Sequence, residues 1–129
     1  MPDVAALRRT AFLLCGDWRR ADEIVQRALT RAVADRRRAG PAADPAAHLR
    51  AELVRCWSAD RRPAPAPGPG PGQELVRALL GMPARRRGCV VLRCWAGCTD
   101  EETARLLDCS PAAVRRETAA GLQALVRLR

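Results

Sequence analysis

Few residues in this chain could do chemistry, and most of them are arginines. All 23 basic side chains are arginine, set against 14 acidic ones, for a formal net charge of +9. A guanidinium stays charged at any physiological pH, so it is no proton shuttle. Its planar fork suits bidentate bonding to phosphate or to a guanine edge. An excess of this size fits a polyanionic partner, because phosphate contacts supply most non-specific nucleic-acid affinity. Part of the excess is compositional: lysine, asparagine and tyrosine are absent and alanine is abundant, as in GC-rich coding. The charge is also spread. Residues 1–62 hold 13 arginines and 8 acids, and residues 73–129 hold 10 and 6, so neither half is a basic tail.

No nucleophile–base–acid set, glycine-rich phosphate loop or paired carboxylate site is present, so no enzymatic activity and no cofactor are expected. The cysteines are Cys15, Cys56, Cys89, Cys94, Cys98 and Cys109. They form no CxxC pair, and the single histidine, His48, is distant in sequence, so no metal site is expected. Cys94 and Cys98 would share a face only if one helix covered both, and Gly97 argues against that. The cysteines read as small apolar fillers, with a metal or redox role as the alternative. His48 reads as a partly exposed surface residue rather than a ligand. No apolar run reaches the roughly 20 residues a membrane span needs. Met1 to Arg9 lacks a signal-peptide core, so a cytoplasmic protein without membrane contact is expected.

Pro63 to Gly72, PAPAPGPGPG, has few backbone donors and disfavours helix, so it reads as a linker. It divides the chain into domains at 1–62 and 73–129. The first should hold three helices. One covers Val4 to Cys15 and stops at Gly16. A second follows an Asp17 cap, with Ala21, Ile24, Val25, Ala28, Leu29, Ala32 and Val33 on one apolar face, ending near Gly40. A third follows the Asp44-Pro45 cap, with Leu49, Leu53 and Trp57 on one side. The second domain should hold four. Leu75, Val76, Leu79 and Leu80 mark one. Another opens at Pro83 and buries Val90, Val91 and Cys94. Thr99 and Glu102 form a capping box for a short helix through Leu107. After a turn at Asp108-Cys109, Ser110-Pro111 starts a longer helix toward Arg127.

The last two helices form a helix-turn-helix pattern, with Ala104 and Leu107 on the first packed against Val114 on the second. Such packing fixes the crossing angle. The second helix would then present Pro111, Ala112, Arg115, Arg116 and Thr118 near its N-terminus, where recognition helices meet base edges and phosphates. The alternative is an ordinary helical hairpin with solvated arginines. Arg85, Arg86 and Arg87 could touch phosphate ahead of this motif. Arg36 to Arg38 read as a solvated helix end that complements the dipole.

Residues 83–129, PARRRGCVVLRCWAGCTDEETARLLDCSPAAVRRETAAGLQALVRLR, resemble region 4 of the extracytoplasmic-function (ECF) sigma factors. The resemblance rests on a proline followed by basic residues, on Leu92-Arg93-Cys94-Trp95, on Glu102-Thr103-Ala104 and on Cys109-Ser110 with Val114-Arg115. In the first half, Thr10-Ala-Phe-Leu-Leu-Cys-Gly-Asp-Trp18 and Ala21-Asp-Glu-Ile-Val-Gln26 resemble region 2 of the actinobacterial SigE-like subgroup. Asp44-Pro45 and Leu49-Arg50 are similar to the helix that reads the minus-10 element. The resemblance implies an all-α fold of two small helical domains, region 2-like and region 4-like. It implies a transcription-initiation role with core RNA polymerase and promoter DNA as partners. An anti-sigma factor or a second sigma-like protein would be further partners. Polymerase would dock on Asp22, Glu23, Gln26 and Arg27. The minus-10 element would lie along Arg50, Arg55, Arg61 and Arg62, and the minus-35 element along Arg115, Arg116 and Thr118.

The departures from the family pattern are specific. Arg27 stands where an acid is usual, His48 where an aromatic is common, and Arg55 where asparagine is common. Ser58 and Asp60 stand where arginine and aromatic residues occur, and base–aromatic stacking is worth about 1–3 kcal/mol per base. Trp57 offers a substitute aromatic or a core side chain. Glu117 replaces a polar or basic residue and Ala120 an arginine, so Glu117 should weaken affinity if it faces phosphate. Two other readings follow. One is a sigma-like DNA- or polymerase-binding regulator without promoter melting. The other is an interaction module with exposed cysteines as a redox sensor.

Overall fold

The computed structural model describes residues 3–128. Met1, Pro2 and Arg129, at the outer ends of the two expected domains, lie outside the described residues. Within that range there are seven α-helices and no strand, in two compact units, Met1–Pro63 and Ala64–Arg129. Residues 63–72 hold neither helix nor strand.

In the first unit α1 (Val4–Cys15), α2 (Trp18–Ala39) and α3 (Pro45–Ala59) pack on one another. An aspartate starts each helix by accepting from an otherwise orphaned amide: Asp3 from Ala6, Asp17 from Arg20 and Asp44 from Ala47. Gly16, at φ +80, closes α1 in the left-handed region open to glycine, and its amide donates to the Phe12 carbonyl. Leu14, Ile24 and Leu53 are fully buried, and burial of such a side chain contributes about 1.5–3 kcal/mol. Trp57 is partly buried against this core, which assigns it to packing. Trp18 stacks on Phe12 with ring centroids 3.9 Å apart, and the Arg8 guanidinium lies 4.3 Å above it. The apolar face of α2 ends sooner than the periodicity predicts. Val33 is 50% exposed, because the core seam against α1 and α3 runs out after Ala32.

The second unit contains α4 (Gln73–Leu80), α5 (Ala84–Cys94), α6 (Asp100–Leu107) and α7 (Pro111–Val126). The last three pack mutually, and α4 rests on α5 and α7. Leu79, Cys89, Val90, Val91, Leu92 and Val114 are fully buried. Cys94, expected in this core, is exposed: it is the last residue of α5 and points away from the packed face. Gly97, at φ +73, then reverses the chain, so Cys94 and Cys98 share no helix and Cys98 is buried. Burial raises the thiol pKa of Cys15 and Cys56 and pushes that of Cys89 up to about 11. Those three are poor thiolates and pack as small apolar side chains.

Gly121 sets how closely α7 approaches α5. A Cβ built there would meet Val90 Cγ2 at 2.2 Å, and Arg86 Cγ and Met82 Sδ at 3.4 and 3.5 Å. Only a residue without a side chain lets the helices close to this distance.

Candidate nucleic-acid interface

The α6–turn–α7 segment is built from local bonds. Thr99 Oγ1 accepts from the Glu102 amide at 3.0 Å, and Glu102 Oε1 accepts from the Thr99 amide at 2.9 Å, a reciprocal capping box. Asp108 ends α6 in the left-handed region at φ +56, which a short polar side chain tolerates better than most. Ser110 Oγ accepts from the Ala113 amide, and Pro111 occupies the first turn of α7. Ala104, Val114 and Cys89 form the buried contact, flanked by Leu107 and Cys109.

This geometry presents Ala112, Arg115 and Arg116 on the exposed start of α7, with Pro111 half-buried beside them. Arg115 is steered as well as exposed. Asp100 holds Arg93 Nε at 2.7 Å through Oδ1 and meets Arg115 Nη1 at 3.8 Å through Oδ2. Arg93 also donates to the Cys98 carbonyl, so α5, α6 and α7 are tied at one point. Sequence reasoning missed this role of Asp100; its position one residue after the Thr99 cap was the available signal.

Two expected contacts are revised. The Thr118 hydroxyl is buried without a hydrogen-bond partner, so it turns into the fold rather than toward the exposed face. Two residues after Arg116, it lies roughly 200° around the helix from that side chain. Glu117 does not stand as an isolated acid, since Arg86 Nε lies 3.5 Å from its Oε2. The pair neutralises Glu117 and draws Arg86 toward α7. Arg87 donates to the Leu79 and Met82 carbonyls and so serves the end of α4, leaving Arg85 as the exposed member of its run.

In the first unit Glu23, Gln26 and Arg27 line one groove on α2 with Thr30 and Arg31. Asp22, on the same helix, is paired with Arg8 of α1 at 2.5 Å. Arg50 is half-buried and has an interaction partner, and Arg55 is exposed but bound to Glu52 one turn back. Arg61 is exposed. Arg62 is committed inward: its guanidinium bonds both Asp60 and Glu23 at 2.9 Å. Arg20 Nη1 donates to the Pro63 carbonyl at 2.8 Å, pinning the same stretch onto α2. The Arg62 bonds hold the Asp60 carboxyl down to about 2. Asp60, a departure from the family pattern, therefore converts a basic stretch after α3 into an internal clamp.

Residues 72–125 match the family model for sigma-70, region 4. No curated protein matches the sequence. Among solved structures the chain is similar to the sigma factor RpoE from Bartonella quintana, crystallised in complex with the anti-sigma factor NepR. The two are 20% identical over 97% of this chain and 90% of that one, with a TM-score of 0.79. At that identity the likeness establishes the fold, and it extends over both units. No helix among the described residues is long and apolar enough to cross a membrane. Residues 72–125 are thus similar to sigma-70 region 4, and the chain has the two-domain, all-helical fold of that sigma factor.

Proposed function

We propose that this chain is an RNA polymerase sigma factor of the ECF type, in the actinobacterial SigE-like subgroup, acting in the cytoplasm. It would direct core polymerase to specific promoters and catalyse nothing itself. Residues 1–62 would bind polymerase through Asp22, Glu23, Gln26 and Arg27, and would place α3 with Arg50, Arg55 and Arg61 along the minus-10 element. Arg62 reaches that element only by leaving Asp60 and Glu23. Residues 63–72 would link this domain to residues 73–129, which would read the minus-35 element through Arg115 and Arg116, with Pro111, Ala112, Arg85 and Arg86 beside them. The likeness to a sigma factor held by an anti-sigma factor makes a protein of that kind a candidate partner.

The observation that carries this reading is the exposed Arg115–Arg116 pair at the start of α7, with Arg115 steered by Asp100. Run-off transcription with core polymerase and a candidate promoter tests it. Specific transcripts are expected, and they should vanish in the Arg115→Ala, Arg116→Ala variant. Bidentate base contacts are worth about 1–3 kcal/mol each, so the variant should bind promoter DNA at least about 30-fold more weakly. The slope of log affinity against log salt should also fall by about 2 if both arginines meet phosphate. Polymerase binding without any transcript would overturn the proposal.

A further inference from the structure

Three potential metal ligands that lie apart in sequence meet in the first unit. Asp35 is near the end of α2, and His48 and Glu52 are one turn apart on α3, hence on the same face. An imidazole nitrogen of His48 and a carboxylate oxygen from each acid all lie within 4.8 Å of one another. His48 Nε2 is 3.2 Å from Asp35 Oδ2. The Glu52 side chain is only 3% exposed, and its Oε2 is buried without a hydrogen-bond partner. A buried carboxylate oxygen lacking any donor has lost its hydration with nothing in exchange.

The remaining oxygens are already used. Asp35 Oδ1 accepts from Arg38, and Glu52 Oε1 accepts from Arg55. An arginine on one oxygen of each acid orients the carboxylate and leaves the other, Asp35 Oδ2 and Glu52 Oε2, open to a ligand role. Ligating carboxylates are commonly oriented in this way by their own hydrogen bonds.

We propose that Asp35, His48 and Glu52 bind one divalent transition-metal ion of the zinc class, with water as the fourth ligand. The donor set decides the class. Magnesium and calcium favour all-oxygen sites, whereas zinc takes imidazole and carboxylate together at about 2.0–2.2 Å. Tetrahedral bonds of that length put ligand atoms roughly 3.3–3.6 Å apart. The Asp35–His48 separation is near this already, and the wider ones close by rotation of side chains. Asp35 lies past Ala32, where the apolar seam of α2 has run out, so the ion would clasp the end of α2 to α3. It revises the expectation that His48 is a surface residue with no ligand role and that the chain has no metal site. Nothing in it depends on transcription.

Zinc alone, titrated calorimetrically into the full chain under reducing conditions, is the test. One equivalent should bind and raise the melting temperature. His48→Ala should weaken binding at least about tenfold, as should the near-isosteric Glu52→Gln, whose metal-free helical circular dichroism should match the wild type. Cys94→Ser should bind as wild type does. Cobalt in place of zinc should show no thiolate charge-transfer band. Absence of binding, binding indifferent to His48→Ala, loss of binding in Cys94→Ser, or a thiolate band would each overturn the proposal.

Discussion

The two units are held together in different ways. In the second, the two helices of the helix-turn-helix are each started by a bond between residues three apart: Thr99 with Glu102, and Ser110 with Ala113. In the first, the helices are also capped locally, but many of the charged side chains are joined across the sequence. Arg8 meets Asp22, Glu23 meets Arg62, Asp35 meets His48, and Asp60 gathers Arg62 and Arg20. Longer pairs occur in the second unit as well, Arg86 with Glu117 and Arg115 with Asp100, but Arg115 and Arg116 stay exposed there, whereas in the first unit Arg62 is held by both Asp60 and Glu23. In both units, therefore, a high arginine count measures scaffold as well as available positive charge.

The contrast breaks first at Gly121, where the second unit depends on a steric fit between residues distant in sequence. If local propensity governed α7, Gly121→Ala would stabilise it by about 1 kcal/mol. The Cβ would instead meet Val90 Cγ2 at 2.2 Å inside a closed core. Overpacking of this kind costs about 1–3 kcal/mol, and more where backbone must move. We expect a net loss of about 2 kcal/mol, read as reduced hydrogen-exchange protection in α5 and α7. Increased protection would show that the core there has room to spare.

The clamp at Asp60 sharpens the other side of the contrast. Its carboxyl is depressed from an ordinary 3.8 to about 2, chiefly by the side-chain hydrogen bonds from Arg62. A carboxylate depressed on folding stabilises the fold at pH above its unfolded value, and that stability is lost as pH falls from about 4 toward 2. The full shift corresponds to roughly 2.4 kcal/mol at 1.36 per unit. Asp60 is 7% exposed, but Arg62 is 46% exposed and screened by solvent, so about 1–2 kcal/mol is expected. Asp60→Asn should lose that amount at pH 7 in the first unit and flatten its stability between pH 4 and 2. Equal acid sensitivity in the variant would assign the dependence to other carboxylates.

What the sequence made legible follows the same division. The starts of α2, α3, α6 and α7 were each readable from an aspartate, threonine or serine ahead of an apolar pattern, because a cap is a short-range event. The packing of Ala104, Leu107 and Val114 was readable from helical spacing. Long-range partners were not. Nothing near Arg62 in sequence points to Glu23, and nothing in the spacing of Asp35, His48 and Glu52 suggests that they meet. The burial of the Thr118 hydroxyl and the exposure of Cys94 and Val33 depend on where neighbouring helices end, which periodicity within one helix does not encode.

The smallest effect contrasts two threonines one turn apart at α6. Thr99 caps the helix through its hydroxyl, so Thr99→Ala should cost about 1 kcal/mol. Thr103 is fully buried and its hydroxyl has no hydrogen-bond partner. Thr103→Val keeps the shape, exchanges that hydroxyl for a methyl, and retains the β-branching that α6 already accommodates. It should therefore stabilise the second unit by about 0.5–1 kcal/mol. Urea unfolding midpoints of the two variants should move in opposite directions from the wild type. If Thr103→Val also destabilises, the hydroxyl has a partner in solution, and α6 is held from its buried side as well as by its cap.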